Sequence, residues 1–302
     1  MNNNNNNNAR FIAFYLALVL TIAGLAYAPW VLSSYNMFPS EPVFIFMIIG
    51  GASPTLAALI VSRLEFGKRG PDYLFRQFTL RGFDKKWLLV AALLPLTLAA
   101  FSVILWHAFG GSYVLDFLKL IEFLPILLSN FLVNMWEEVG WRGYALPALQ
   151  RRYSALVSSL MVGAFWALWH WPHFAVKESA MAANYHNFLY FFVSTLFISI
   201  SYTWLYNSTN GNLFAVSLYH ASTNSANIVL FLQPGISYSV FPFYFLVLTS
   251  FSAFIVLFFK PDSLSRFGRK KAPDLLLDQN GRRNDVGRTK IIFIQLLLPL
   301  MA

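Results

Sequence analysis

Long apolar runs follow one another along the chain, at about residues 11–33, 42–62, 87–109, 123–147, 154–175, 188–206, 213–233 and 240–259. A helix rises about 1.5 Å per residue, so runs of this length cross a hydrocarbon core of roughly 30 Å. The pattern predicts an all-α fold, a polytopic transmembrane helical bundle of about eight spans. The weakest are 123–147, which carries charges, and 188–206, which is short. Residues 1–10 form an Asn-rich N-terminus expected to be disordered, 11–260 an integral membrane domain, and 261–302 a basic cytoplasmic tail. Segment 64–86 is the largest soluble piece of the membrane domain. The tail ends in IIFIQLLLPLMA, which at twelve residues is too short to span. The spans show no inverted repeat of the kind that marks many transporters.

Composition agrees: 57% of residues are hydrophobic and only 12% are charged, against roughly a quarter in ordinary globular domains. The net charge of +9 is mostly topological. Starting from a cytoplasmic N-terminus, Arg63, Lys68, Arg69, Arg76, Arg81, Lys85 and Lys86 share one inner loop, Arg151 and Arg152 the next, and Lys260 onwards the tail. The outer loops hold only Lys119 and Lys177. This positive-inside pattern places both termini in the cytoplasm of a bacterial or archaeal plasma membrane, with some attraction to anionic headgroups and no reason to invoke nucleic acid. Ala26-Tyr27-Ala28 resembles a signal-peptidase site, but the preceding apolar run is long for a signal peptide, and an uncleaved anchor is expected. The absence of cysteine removes disulfides, thiolate metal sites and Cys nucleophiles.

Against this background, NMWEEVGWRGYALPALQRR at residues 134–152 stands out. Of the acidic residues, only Glu137 and Glu138 fall within a predicted span. A charge at bilayer depth costs on the order of 3 kcal/mol, so such residues usually face the bundle interior and mark function. On a helix, Glu138 and Arg142 are i and i+4 and can pair, whereas Glu137 points about 100° away and is left for chemistry. The alternative is that all three form a buried ionic latch between helices. His170 and His173 lie in FWALWHWPHF, late in the fifth span. His220 and Asn224, i and i+4 in HASTN, share a face of the seventh. His107 at a span end and His186 in an outer loop have no expected role. Three helices carrying Glu137, His170, and His220 with Asn224 can close around one polar cavity.

A carboxylate and imidazoles around trapped water form a hydrolytic constellation. Two histidines and a glutamate are a ligand set for catalytic zinc, so Glu137, His170 and His220 can hold Zn2+ with a fourth position for water. The same groups also work without metal. Glu137 then takes a proton from water oriented by His170, while His220 and the Asn224 amide stabilise the oxyanion. The HExxH and GxSxG signatures are absent, and nothing suggests a phosphate loop.

Glu137-Glu138 with Arg142, Trp166-x-x-x-His170 and His220-x-x-x-Asn224, in that order on successive spans, resemble the motifs of the CAAX prenyl endopeptidase and bacteriocin-processing (CPBP, or Abi) intramembrane proteases. The resemblance covers about residues 123–230. It implies an intramembrane endopeptidase acting on a membrane protein or peptide substrate, with Glu137 and His170 activating water and His220 and Asn224 as metal ligands or oxyanion stabilisers. Glu138 and Arg142 correspond to the supporting pair. Trp166 stands where phenylalanine is common and is expected to pack the cavity wall; His173 extends the second motif without an assigned role. Competing readings are a proton-coupled transporter, since intramembrane Glu, His and Arg also form proton relays, and a non-catalytic scaffold or immunity protein.

Overall fold

The computed structural model describes residues 2–112, 117–185, 187–231 and 237–272. His186 and the apolar run 291–302 lie outside the described residues. The described chain is helical, with no strand among the described residues. The long helices are α1 (Asn2–Ser34) and α2 (Val43–Phe66), then, after the short α3 (Gly70–Arg76), α4 (Lys86–Ala108) and α5 (Phe117–Gly140). The chain continues through α6 (Leu146–Leu149), α7 (Ala155–Trp169), α8 (Trp171–Ala175) and α9 (Ala180–Tyr185) to α10 (Phe188–Ser208), α11 (Leu213–Phe231) and α12 (Ser237–Phe259). Helix α1 thus takes in the Asn-rich stretch read above as disordered. Asn8 ties its start to α6 by donating from Nδ2 to the Ala148 carbonyl at 3.2 Å.

Five segments are long and apolar enough to cross a membrane: Asn8–Ser34, Val43–Arg76, Lys86–Ala108, Phe188–Ser208 and Ser239–Phe259. Of the eight expected spans, the three outside this set are α5, α7 and α11. They are the helices that carry the polar motifs. Helix α7 has only 15 residues, and α11 spends much of its length on Ser, Thr, Asn and His. Both are shielded by neighbours: α11 packs on α4 and α5, and α7 on α10 and α1. A helix hidden from lipid has no need of an apolar surface all round.

The crossing of α5 over α2 sets the position of the glutamates. Pro54 inside α2 cannot donate a backbone hydrogen bond to the Gly50 carbonyl. The Ser53 hydroxyl serves that carbonyl instead, at 2.7 Å. Gly140 lies against this point, where a Cβ would come within 2.5 Å of the Pro54 backbone, so only glycine permits the approach. The Thr55 hydroxyl donates to the Trp136 carbonyl, fastening the two helices at the residue before Glu137. Gly163 allows a similar close approach of α7 to α10, its absent Cβ facing Ser199 at 2.9 Å.

Beyond Gly140 the helix widens into one π-type turn, Trp141–Ala145, before resuming as α6. Such turns shift the register of the side chains that follow and often occur at functional sites. This one is braced from segment 64–86. The Gln77 Nε2 donates to the Gly143 carbonyl at 3.0 Å, its Oε1 accepts from the Tyr206 hydroxyl at 2.8 Å, and its backbone carbonyl accepts from Leu213 N at 3.0 Å. The segment read as a soluble loop is therefore part of the bundle's closure.

A second departure concerns Glu65, assigned to a loop by the hydropathy pattern. It lies in the last turn of α2 with its side chain 8% exposed and pairs with Arg151 at 2.6 Å. Its other oxygen accepts from the Tyr144 hydroxyl at 2.7 Å, and Arg151 also donates to Asn8 at 2.9 Å. Arg151 is thus a structural cation as well as a topological one. Sequence alone could not join residues 86 positions apart.

Candidate active site

Helix α5 presents Asn130, Asn134, Glu138 and Arg142 at successive spacings of four, one above another on a single face. Helix α11 runs antiparallel against it, and the two stripes meet as a ladder. Asn130 Nδ2 donates to the Ser225 hydroxyl at 2.9 Å, Asn224 Nδ2 donates to Asn134 Oδ1 at 3.4 Å, and His220 Nδ1 meets Glu138 Oε1 at 2.8 Å. The i, i+4 pair His220/Asn224 thus faces the i, i+4 pair Glu138/Asn134. Asn130 and Asn134 escaped the sequence reading, although their spacing from Glu138 was available to it.

Glu138 is completely buried, and so is Arg142, whose Nη1 reaches the same Oε1 at 2.9 Å. Two neighbouring rings flank the guanidinium, with Cζ 4.6 Å from the Trp166 centroid and 4.5 Å from that of Tyr202, the two centroids being 5.5 Å apart. A cation against aromatic rings is stabilised where water is absent. The expected Glu138–Arg142 pair is therefore present, and it carries two components that spacing could not reveal: Tyr202 from α10, and His220 on the same carboxylate oxygen.

Glu137 has different surroundings. It is 8% exposed, and its Oε2 accepts the Trp166 indole N–H at 3.0 Å. Among the described residues it takes part in no ion pair. Trp166 does more than fill a wall. Its ring also stands edge-on to His220 at 5.2 Å and to His170 at 5.9 Å. Phenylalanine could pack in this way but could not donate to Glu137.

His170 caps the C-terminal end of α7. Its Nδ1 lies 2.9 Å from the Trp166 carbonyl. A carbonyl only accepts, so Nδ1 carries the proton and the neutral ring keeps its lone pair on Nε2. His220 likewise carries a proton on Nδ1, donated to the Glu138 carboxylate, with Nε2 on the far side of the ring. His173 sits apart in an aromatic box, 4.7 Å from the Tyr27 ring, 5.0 Å from Trp30 and 5.3 Å from His170. His107 bonds the Gly111 carbonyl at 2.9 Å, far along the chain from these groups.

Glu137, His170 and His220 do not converge into a metal-holding set. Among the described residues no group of three or more His, Asp or Glu is arranged to hold a metal ion. Each of the three has one polar atom already engaged: Glu137 by Trp166, His170 by the Trp166 carbonyl and His220 by Glu138.

The profile of the Rce1-like type II CAAX prenyl endopeptidases matches residues 119–226, a window that contains Asn130, Asn134, Glu137, Glu138, Arg142, Trp166, His170, Tyr202, His220 and Asn224. The chain is 29% identical over 211 residues to CAAX prenyl protease 2 of Methanococcus maripaludis, an alignment covering 66% of this chain and 78% of that protein. It is also 25% identical over 147 residues to lysostaphin resistance protein A of Staphylococcus haemolyticus, covering 48% of this chain and 38% of that relative. Residues 119–226 thus form a region of the Rce1-like type II CAAX prenyl endopeptidase family.

Proposed function

We propose that the protein is an intramembrane endopeptidase in which Glu137 activates water and no metal is required. The observation that supports this most is the division of roles between neighbouring carboxylates. Glu138 is committed to Arg142 and His220, whereas Glu137 meets the neutral Trp166 donor and so keeps its basicity for a water molecule. In the proposed reaction, Glu137 takes one proton from water while the Nε2 lone pair of His170 accepts the other hydrogen in a hydrogen bond and orients the oxygen. That oxygen attacks the scissile carbonyl carbon. The Asn224 amide N–H stabilises the resulting oxyanion, together with an Nε2–H of His220 when that ring, paired with Glu138, carries protons on both nitrogens. The C–N bond then breaks as Glu137 passes its proton to the leaving amine.

The site lies in a polar cavity among α5, α7 and α11, within a bundle of about eight spans, and the substrate is a membrane protein or membrane-bound peptide. The name of the archaeal relative, CAAX prenyl protease 2, makes peptides ending in a prenylated cysteine motif the first to try, beside unprenylated controls. Purified protein in detergent should release defined fragments detectable by mass spectrometry. Hydrolysis should persist after exhaustive chelation, with elemental analysis confirming removal of metal. Loss of turnover on chelation and its return with added zinc would overturn the metal-free mechanism; no cleavage in any preparation would overturn the peptidase reading.

The same reading places both termini in the cytoplasm, because basic residues concentrate on alternate loops. Reporter fusions at residue 1 and residue 302 should both give the cytoplasmic signal. An external C-terminus would mean that one of α5, α7 or α11 fails to cross.

A further inference from the structure

A groove of about 410 Å³ runs along the outer surface between α1 and α7, away from the candidate active site. Its floor on α1 includes the buried Ile12 and Leu16, and its edge is formed by Ala9, Ala13 and Ala17 at spacings of four. The alanine methyls are too small to fill the space between the helices, and Met161 and Phe165 of α7 form the opposite wall. The lining is apolar along its length and changes character at one end, where Arg152 and Tyr153 close it. The guanidinium of Arg152 lies 5.9 Å from the Tyr153 ring centroid, and Arg10 is exposed beside Ala9. Among the described residues no acidic one lines the groove.

These dimensions and charges specify an occupant. From Ala9 to Leu20 the α1 wall is about 16 Å long, close to half of a hydrocarbon core of roughly 30 Å. That is the depth of one leaflet. An apolar slot one leaflet deep, ending in arginine and tyrosine at headgroup level, matches a single acyl chain joined to a phosphate. Arginine binds phosphate oxygens through paired N–H donors, and tyrosine favours the interface itself. We propose that this groove is a binding site for an anionic phospholipid of the leaflet on the Arg152 side, with an acyl chain along Ala13 and Ala17 and the phosphate on Arg152. Its basis is independent of the peptidase reading.

The test is native mass spectrometry of the full chain released from nanodiscs containing equal amounts of phosphatidylglycerol and phosphatidylcholine with matched acyl chains. One cation near the membrane surface corresponds to about a fivefold preference for an anionic lipid, so wild type should retain phosphatidylglycerol over phosphatidylcholine by about that factor. Arg152→Gln should bring the ratio close to that of the bulk bilayer. Ala13→Phe fills the slot and should reduce retention of both lipids. Both positions are exposed, and circular dichroism checks that each variant is folded. A wild-type ratio equal to the bulk, which needs no variant at all, would overturn the proposal. So would an unchanged preference in folded Arg152→Gln, which would assign lipid selectivity to the basic segment 64–86, or unchanged retention in Ala13→Phe.

Discussion

Glu137→Gln abolishes peptide hydrolysis, by about a thousandfold or more, and leaves the thermal midpoint within a few degrees of wild type. The loss follows from the chemistry, because an amide oxygen cannot take a proton from water near neutral pH. Removing a general base typically costs 10²–10⁴-fold, on the order of 3–5 kcal/mol in the barrier. Stability is spared because the amide has nearly the same shape and its carbonyl oxygen still accepts the Trp166 N–H now bonded to Glu137 Oε2. No ion pair is broken, since among the described residues Glu137 takes part in none. The measurements are turnover of a cleaved peptide and unfolding in detergent, side by side. Full turnover in a folded Glu137→Gln protein would remove the proposed base. A cellular phenotype that survives the substitution would favour a non-catalytic role.

For Glu138→Gln the expected result is the opposite balance, with folding lost along with activity. Arg142 has no exposure and lies against the neighbouring Trp166 and Tyr202 rings. Without the carboxylate it becomes a buried cation with no counter-charge, a change that typically costs about 3–5 kcal/mol. In a domain of this size that corresponds to a midpoint lower by roughly 10 °C. His220 is affected as well, because its Nδ1–H donates to the same oxygen and a neutral amide holds it less firmly. The double variant Glu138→Gln with Arg142→Met removes the stranded cation and leaves an apolar side chain against the two rings. It should regain much of the stability while staying inactive, because His220 remains without its charged partner. If Glu138→Gln proved stable and Glu137→Gln unstable, the two carboxylates would have exchanged roles.

The residues that organise Glu138 show where reading along the chain succeeds. Its partner Arg142 lies one helical turn away, and the i, i+4 rule finds such neighbours without a fold. The same rule, applied one and two turns back, reaches Asn134 and Asn130, whose polarity inside an apolar run was visible but unused. Trp166 was located but credited only with packing, because its role depends on an indole N–H aimed at a carboxylate 29 positions away. Tyr202 offered no signal. One tyrosine in an aromatic-rich span is ordinary, and only the packing of α10 brings its ring onto Arg142.

What the sequence determined by itself is therefore the helical class, the motif-bearing helices, the family, and the separation of the two glutamates onto different faces, all of which depend on local periodicity and residue chemistry. Only the tertiary structure decided which groups meet. It set His220 against Glu138, joined Asn224 to Asn134, buried Glu65 against Arg151 and made Gln77 a brace for the π-type turn. It also shows why α11 needs no apolar surface all round, since α4 and α5 cover it. The reason is physical: hydrogen bonds and ion pairs act over about 3 Å, and whether two side chains come that close is decided by helix crossings such as that of Gly140 on Pro54, which no single stretch of sequence contains.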